Sequence, residues 1–247
     1  MKKNLAFIAL VFSVLMLVFV SCGKSDSNPE TPETPNTHWY SPEPGENGTL
    51  PESVLPAALQ DSISEYFKIH DGDNPPIINH GEFVSHPHML LFSNYSSSET
   101  DTIGSVYNDR YIAFIENGNK MDFYGKQWDD EYEEYYEEAY RGLNVLGSGE
   151  NFTCYYLTEG YPNGMYAKQS TVFSGAWTPS SRGLRDFQVA VILLETSGNP
   201  SLAPAGSFRV LGDGDGLAET DNWMDGKSES CPADMTDNDP FRMFRVK

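Results

Sequence analysis

Asp213, Asp215, Glu219 and Asp221 crowd into GSFRVLGDGDGLAETDNW, and carboxylates that close along a chain can converge as oxygen ligands on calcium. An EF-hand loop starting at Asp213 needs an oxygen ligand at position 217, glycine at 218 and glutamate at 224. The chain has Leu217, Ala218 and Met224 there, so the EF-hand fails. Two readings stay open, another kind of calcium loop or a glycine-built turn after a strand. NHGEFVSHPH carries His80, Glu82, His86 and His88 at one parity, which on a regular strand aims four zinc-type ligands to one side. Pro87 and Val84 interrupt that row, and polar surface histidines are the alternative. WDDEYEEYYEEAYRG, residues 128–142, sets acids among tyrosines. As a helix it places Tyr132, Tyr136 and Tyr140 in one row flanked by carboxylates; otherwise it is an acidic excursion whose tyrosines dock on a sheet.

Trp128, Trp177 and Trp223 each fall at an expected strand end or loop, where an indole can stack on a sugar ring or instead fill the core. Cys154 and Cys231 can close a long-loop disulfide worth roughly 4 kcal/mol; the alternative is a buried Cys154 and a free Cys231. There is no Gly-x-Ser-x-Gly elbow, His-Glu-x-x-His pair, phosphate-cradling glycine loop or reactive Cys–His constellation. A non-catalytic protein is therefore expected, with a hydrolase of dispersed residues as the enzyme alternative. No cofactor is implied beyond the calcium option.

The elements that must position these residues are mostly strands. SVLPAALQDSISEYFKIHDG predicts one helix beginning near Pro56, with Leu55, Leu59, Ile63 and Tyr66/Phe67 on its stripe and a stop at Asp71-Gly72. Residues 81–94 predict a strand kinked at Pro87. Tyr111–Glu116 and Lys120–Gly125 flank an Asn117-Gly118 hairpin turn. A longer hairpin spans 151–177 and turns at Tyr161-Pro162-Asn163-Gly164. Strands at 186–196 and 207–212 follow, and FRMFRVK closes the chain as another. In FQVAVILLE, Val189, Val191 and Leu193 share one face and Ala190, Ile192 and Leu194 the other. Both faces must be covered, and the amphipathic helix is the expected outer cover. The fold class is mainly β: about eight antiparallel strands in a meander, a barrel or alternatively a β-sandwich, with one N-terminal helix.

At the amino terminus, Lys2 and Lys3 precede an apolar run from Leu5 to Val20, the layout of a secretory signal. Phe19-Val20-Ser21-Cys22 resembles the lipobox of bacterial lipoproteins, with Phe19 where that family usually has leucine. The resemblance implies cleavage before Cys22, diacylation of its thiol and acylation of the new amino terminus. Several acyl chains, at about 0.8 kcal/mol per buried methylene, make a firm lipid-bilayer anchor. Residues 22–48, rich in Pro, Ser, Thr, Asn and Glu, are expected as a disordered tether, and 49–247 as a single β domain. Lys24-Ser25-Asp26 resembles the charged export signals of surface lipoproteins in the Bacteroidetes, which implies the outer membrane, on its periplasmic or cell-surface face.

The helix followed by meandering strands, with Gly81-Glu82-Phe83, loosely resembles a lipocalin-type barrel. GSGENFTCYYLTEG, MYAKQSTVFSG and GSFRVLGDGDGLAE resemble a group of Bacteroidetes lipoproteins over most of residues 50–225. That likeness implies a compartment and a lineage, and carries no activity and no site residues. The formal charge of −20 becomes −22 without the two lysines of the signal, which argues against nucleic acid or an anionic membrane face as partner. The expected function is a membrane-anchored binding protein for a small apolar ligand or a glycan. The alternative is a structural or interaction protein of the outer membrane.

Overall fold

Among the described residues, short apolar alternations between glycine-, asparagine- and proline-rich turns build thirteen strands, and one short helix interrupts them. The computed structural model describes residues 37–95, 102–130, 133–224 and 240–245; Cys22 and Cys231 lie outside the described residues. β1 (His38–Tyr40) precedes α1 (Ala57–Ser64), then come β2 (Asp73–Asn74), β3 (His80–Ser85), β4 (His88–Ser93) and β5 (Val106–Tyr107). The longer strands follow: β6 (Arg110–Asn117), β7 (Lys120–Asp129), β8 (Glu134–Ser148), β9 (Asn151–Gly160), β10 (Ala167–Ala176) and β11 (Gly183–Glu195). β12 (Phe208–Asp213) and β13 (Leu217–Thr220) complete the set.

All thirteen belong to one sheet, antiparallel except where β2 runs parallel to β8. From β6 to β11 each strand pairs with the next, as the expected meander requires. β3 then joins β6 to β13, and β13 joins β11, so the pairings of eight strands close a cycle. β12, β4 and β5 branch from β11 as a side leaf. The Asn117-Gly118 hairpin forms as predicted, with Asn117 opposite Lys120 and Gly118 at φ +66°.

The two sheet faces bury different clusters. Every strand of the cycle contributes to the larger one, including Phe83, Phe114, Phe123, Phe152, Phe173 and Phe187. These rings pack against one another on the buried face the eight strands share. Phe123 lies 4.3 Å from Phe173 between centroids, and Phe114 lies 5.4 Å from both Phe123 and Phe152. On the other face Tyr155, Leu157, Val172, Ala190 and Ile192 pack under Leu55, Ile63 and Phe67 of the helical segment. FQVAVILLE is therefore buried on both faces, with the helix as its outer cover. α1 is shorter than its apolar stripe: Phe67 packs beyond the last helical residue, and Tyr66 stacks on Phe92 at 3.6 Å.

Several expectations are corrected. Residues 134–148 form the longest strand rather than a helix or a loop. Period-two alternation turns Tyr136, Glu138 and Tyr140 toward the core, and Tyr is at home on a pleated surface. The ordered structure includes part of the expected tether: His38, Trp39 and Tyr40 pair with Glu159, Thr158 and Leu157. Ser41 holds the junction by accepting from Asn144 N–H at 2.9 Å and donating to Tyr155 C=O at 2.8 Å. Pro87 ends one strand and starts another, because β3 stays with β6 while β4 leaves to pair with β12. The described part of the closing segment holds a 3-10 turn (Arg242–Phe244), which buries Phe244, rather than a strand. With β1, β2, β5, β8 and β13 added, the strands outnumber the eight expected.

Candidate functional site

On the outer face of β6, β7 and β8, alternation places Tyr111, Lys126, Trp128 and Tyr135 side by side. Tyr111 stands directly opposite Lys126, and Trp128 opposite Tyr135. The segment after β13 supplies the fourth ring. Asp221 N–H donates to Glu82 C=O at 2.9 Å and Met224 N–H to the Glu82 carboxylate at 2.7 Å, which lays Trp223 between them on the sheet. Its indole Nε1–H donates to Ile112 C=O at 3.1 Å, so the polar edge is satisfied and a face remains to pack.

The Lys126 ammonium lies 4.8 Å from the Trp223 ring centroid, 5.0 Å from Tyr111 and 5.2 Å from Tyr135. Those are cation–π distances. Trp128 meets Tyr135 edge-on at 5.2 Å, and Asn108 holds the strand end by donating to Trp128 C=O at 3.2 Å. Trp128 is 38% and Tyr135 47% exposed, and among the described Phe, Tyr and Trp rings only Tyr66 and Tyr161 are exposed to the same degree. Burial, then the Asp109 charge, raises the Tyr111 hydroxyl above its ordinary range, so it stays a neutral donor. Three rings around one cation, with Trp128 edge-on to one of them, offer flat apolar faces with polar rims, the surface on which a hydrated ring can stack.

Of the three tryptophans singled out in the sequence, the structure brings Trp128 and Trp223 to this patch. Trp177 is elsewhere: it follows β10, packs against the main core and donates its N–H to Glu150 C=O at 2.7 Å. Tyr111, Lys126 and Tyr135 were missed by sequence reasoning. The signal was present as alternation in RYIAFIEN and KMDFYGKQWD, but it needed the register of three strands to be read as one site.

The carboxylates of the calcium option do not gather. Asp213 accepts N–H from His86 at 3.0 Å, Leu217 at 2.9 Å and Asp215 at 3.3 Å, closing the glycine-rich turn between β12 and β13. Burial, then the hydrogen bond with Asp215, raises the Asp213 carboxyl, while the same bond lowers that of Asp215. Glu219 is exposed on β13, and Asp221 belongs to the segment carrying Trp223. The zinc-type row is also split. His80 contacts Glu82 at 2.7 Å, His86 turns to Asp109 at 2.5 Å, and His88 is buried against Ser85 at 3.1 Å. Among the described residues no three His, Cys, Asp or Glu side chains are arranged to hold a metal. Cys154 is a buried free thiol, and burial pushes its pKa up.

The core also holds charge. Arg110 of β6 pairs with Glu138 of β8, and the Tyr156 hydroxyl donates to Glu138 at 3.5 Å. Arg242 stacks 3.5 Å over Tyr136 and pairs with Asp129 at 2.7 Å, closing this end of the cycle. A cleft of about 410 Å³ lies at the β6–β7 turn, lined by Pro44, Pro75, Ile77, Lys120 and Val145. No protein-family model, curated protein or solved structure matches this chain.

Proposed function

We propose that this is a non-catalytic, lipid-anchored protein of the outer membrane whose outer aromatic patch binds carbohydrate. The observation carrying that reading is the grouping of Tyr111, Tyr135 and Trp223 around Lys126, with exposed Trp128 edge-on to Tyr135, on the outer strand face. The apolar-ligand alternative has less support, because aromatic side chains pack against one another on the buried face where such a ligand would sit. The closed cycle of eight pairings supports a barrel over a sandwich, and the lipobox-like Phe19-Val20-Ser21-Cys22 supports the anchor. A structural or interaction role finds its footing at β5, the end of the side leaf, where Ile103 and Val106 are exposed.

The test is a thermal-shift series with oligosaccharides on wild-type protein and on Trp128→Ala/Tyr135→Ala. A ligand that binds the native state raises the melting temperature with concentration. We expect that rise in the wild type and its loss in the double variant, whose own melting temperature stays close because both rings are partly exposed. Rises of equal size in the two proteins sink the patch as the site. Mass spectrometry of the native product tests the anchor, with an unacylated chain beginning at Met1 as the contrary result.

A further inference from the structure

The ammonium at the centre of the patch differs from the other described lysines. Lys68 pairs with Asp186 at 3.6 Å, Lys120 with Glu43 at 3.1 Å and Lys168 with Glu159 at 3.1 Å. Lys126 has no carboxylate partner among the described residues, in a chain with 36 acidic side chains. Three ring faces lie 4.8–5.2 Å from it and take up none of its three N–H donors, and Glu137 stands opposite it in the β7–β8 register, so an incoming anion meets that carboxylate as well.

We propose that Lys126 makes the patch selective for anionic carbohydrate: the ammonium pairs with a sugar carboxylate or sulfate while the sugar ring stacks on Trp128 or Tyr135. This rests on the carbohydrate reading of the patch. A neutral hydroxyl can also accept from Lys126, but with a carboxylate or sulfate both partners are ionised, and the Coulombic attraction of an ion pair adds to the hydrogen bond. The long-range field opposes an anion, because the chain carries −20 and Asp109 and Asp221 lie near Tyr111. Asp109 is already engaged by His86 at 2.5 Å. The preference therefore comes from contact distance and not from steering.

Calorimetric titration of the full-length protein in detergent tests it. The probes are tetragalacturonate and a chondroitin sulfate tetrasaccharide, each beside its methyl-esterified or desulfated counterpart. We expect tighter binding of the charged member of a pair. Lys126→Met should weaken the charged member by about tenfold or more and the neutral one by much less. Lys126→Arg, which keeps the charge and an aliphatic stem, should preserve the preference, and its loss there as well would overturn the charge as its source. Equal binding of charged and neutral members, with no effect of Lys126→Met, overturns the selectivity and leaves the carbohydrate reading standing. No binding of these probes, together with no thermal response to neutral oligosaccharides, overturns both.

Discussion

Gly125 lets Arg110 and Glu138 meet inside the cycle. A Cβ at that position would stand 2.9 Å from the Phe123 ring, 3.0 Å from Glu138 Oε1 and 3.1 Å from Arg110. The paired side chains are 11% and 7% exposed, so each is the other's main compensation for leaving water. Glu138→Ala should destabilise by about 3–5 kcal/mol in chemical denaturation, because it strands a buried guanidinium. Arg110→Met added to it should recover part of that loss, and strictly additive costs would show that the pair does not act as a unit. His88 supplies a pH response. Burial, then the Arg110 charge, lowers its pKa from 6.5 to about 3, so the folded state keeps it neutral where the unfolded chain is protonated. That stability is complete above about pH 6.5 and declines as pH falls toward 3, by roughly 1.4 kcal/mol per unit in that window. His88→Gln should flatten the pH 4–6.5 limb of the denaturation midpoint, and an unchanged slope would remove His88 as its source. The burial of Arg110, Glu138 and His88 is not legible in the sequence. His88 looks like one of a row of surface histidines until Pro87 sends β4 to β12 and turns the ring inward.

β11 shows how far a single strand can be read. Its unbroken apolar run required cover on both faces, and both covers are present: the cluster of packed rings and the segment around α1. Ile63 is the one fully buried residue within α1, and it packs on the outer face of that strand region. Ile63→Ala should therefore cost about 2–4 kcal/mol by denaturant titration, by removing buried methylenes and leaving a cavity. A cost under about 1 kcal/mol would mean the helix only rests on the sheet. β8 was illegible for the opposite reason. Its inward positions include Tyr136 and Glu138, so hydrophobicity alone shows no period of two, and three tyrosines at helical spacing suggest the wrong element. The aromatic patch was half legible. Trp128 and Trp223 stand out by residue type, whereas Lys126 gains its meaning from neighbours on three strands and the segment after β13, which no local spacing encodes.

At the scale of the whole chain, the interior is completed by parts far apart in sequence. Phe241 and Phe244 join the same cluster as Phe83 and Phe152, and Arg209 of β12 reaches Met243 C=O at 3.5 Å. Composition fixed the β class because turn residues and short apolar runs recur throughout, but the partners of β3, β4 and β13 depend on which edges remain open after the meander has formed. β1 bears on geometry beyond the domain. With His38 already fastened to Glu159, only the stretch back to Cys22 remains to set a height, roughly 55 Å at full extension. On the proposed anchor at Cys22 that length caps the domain's distance from a bilayer, and on the proposed carbohydrate reading a polymer must come within the same reach to be bound.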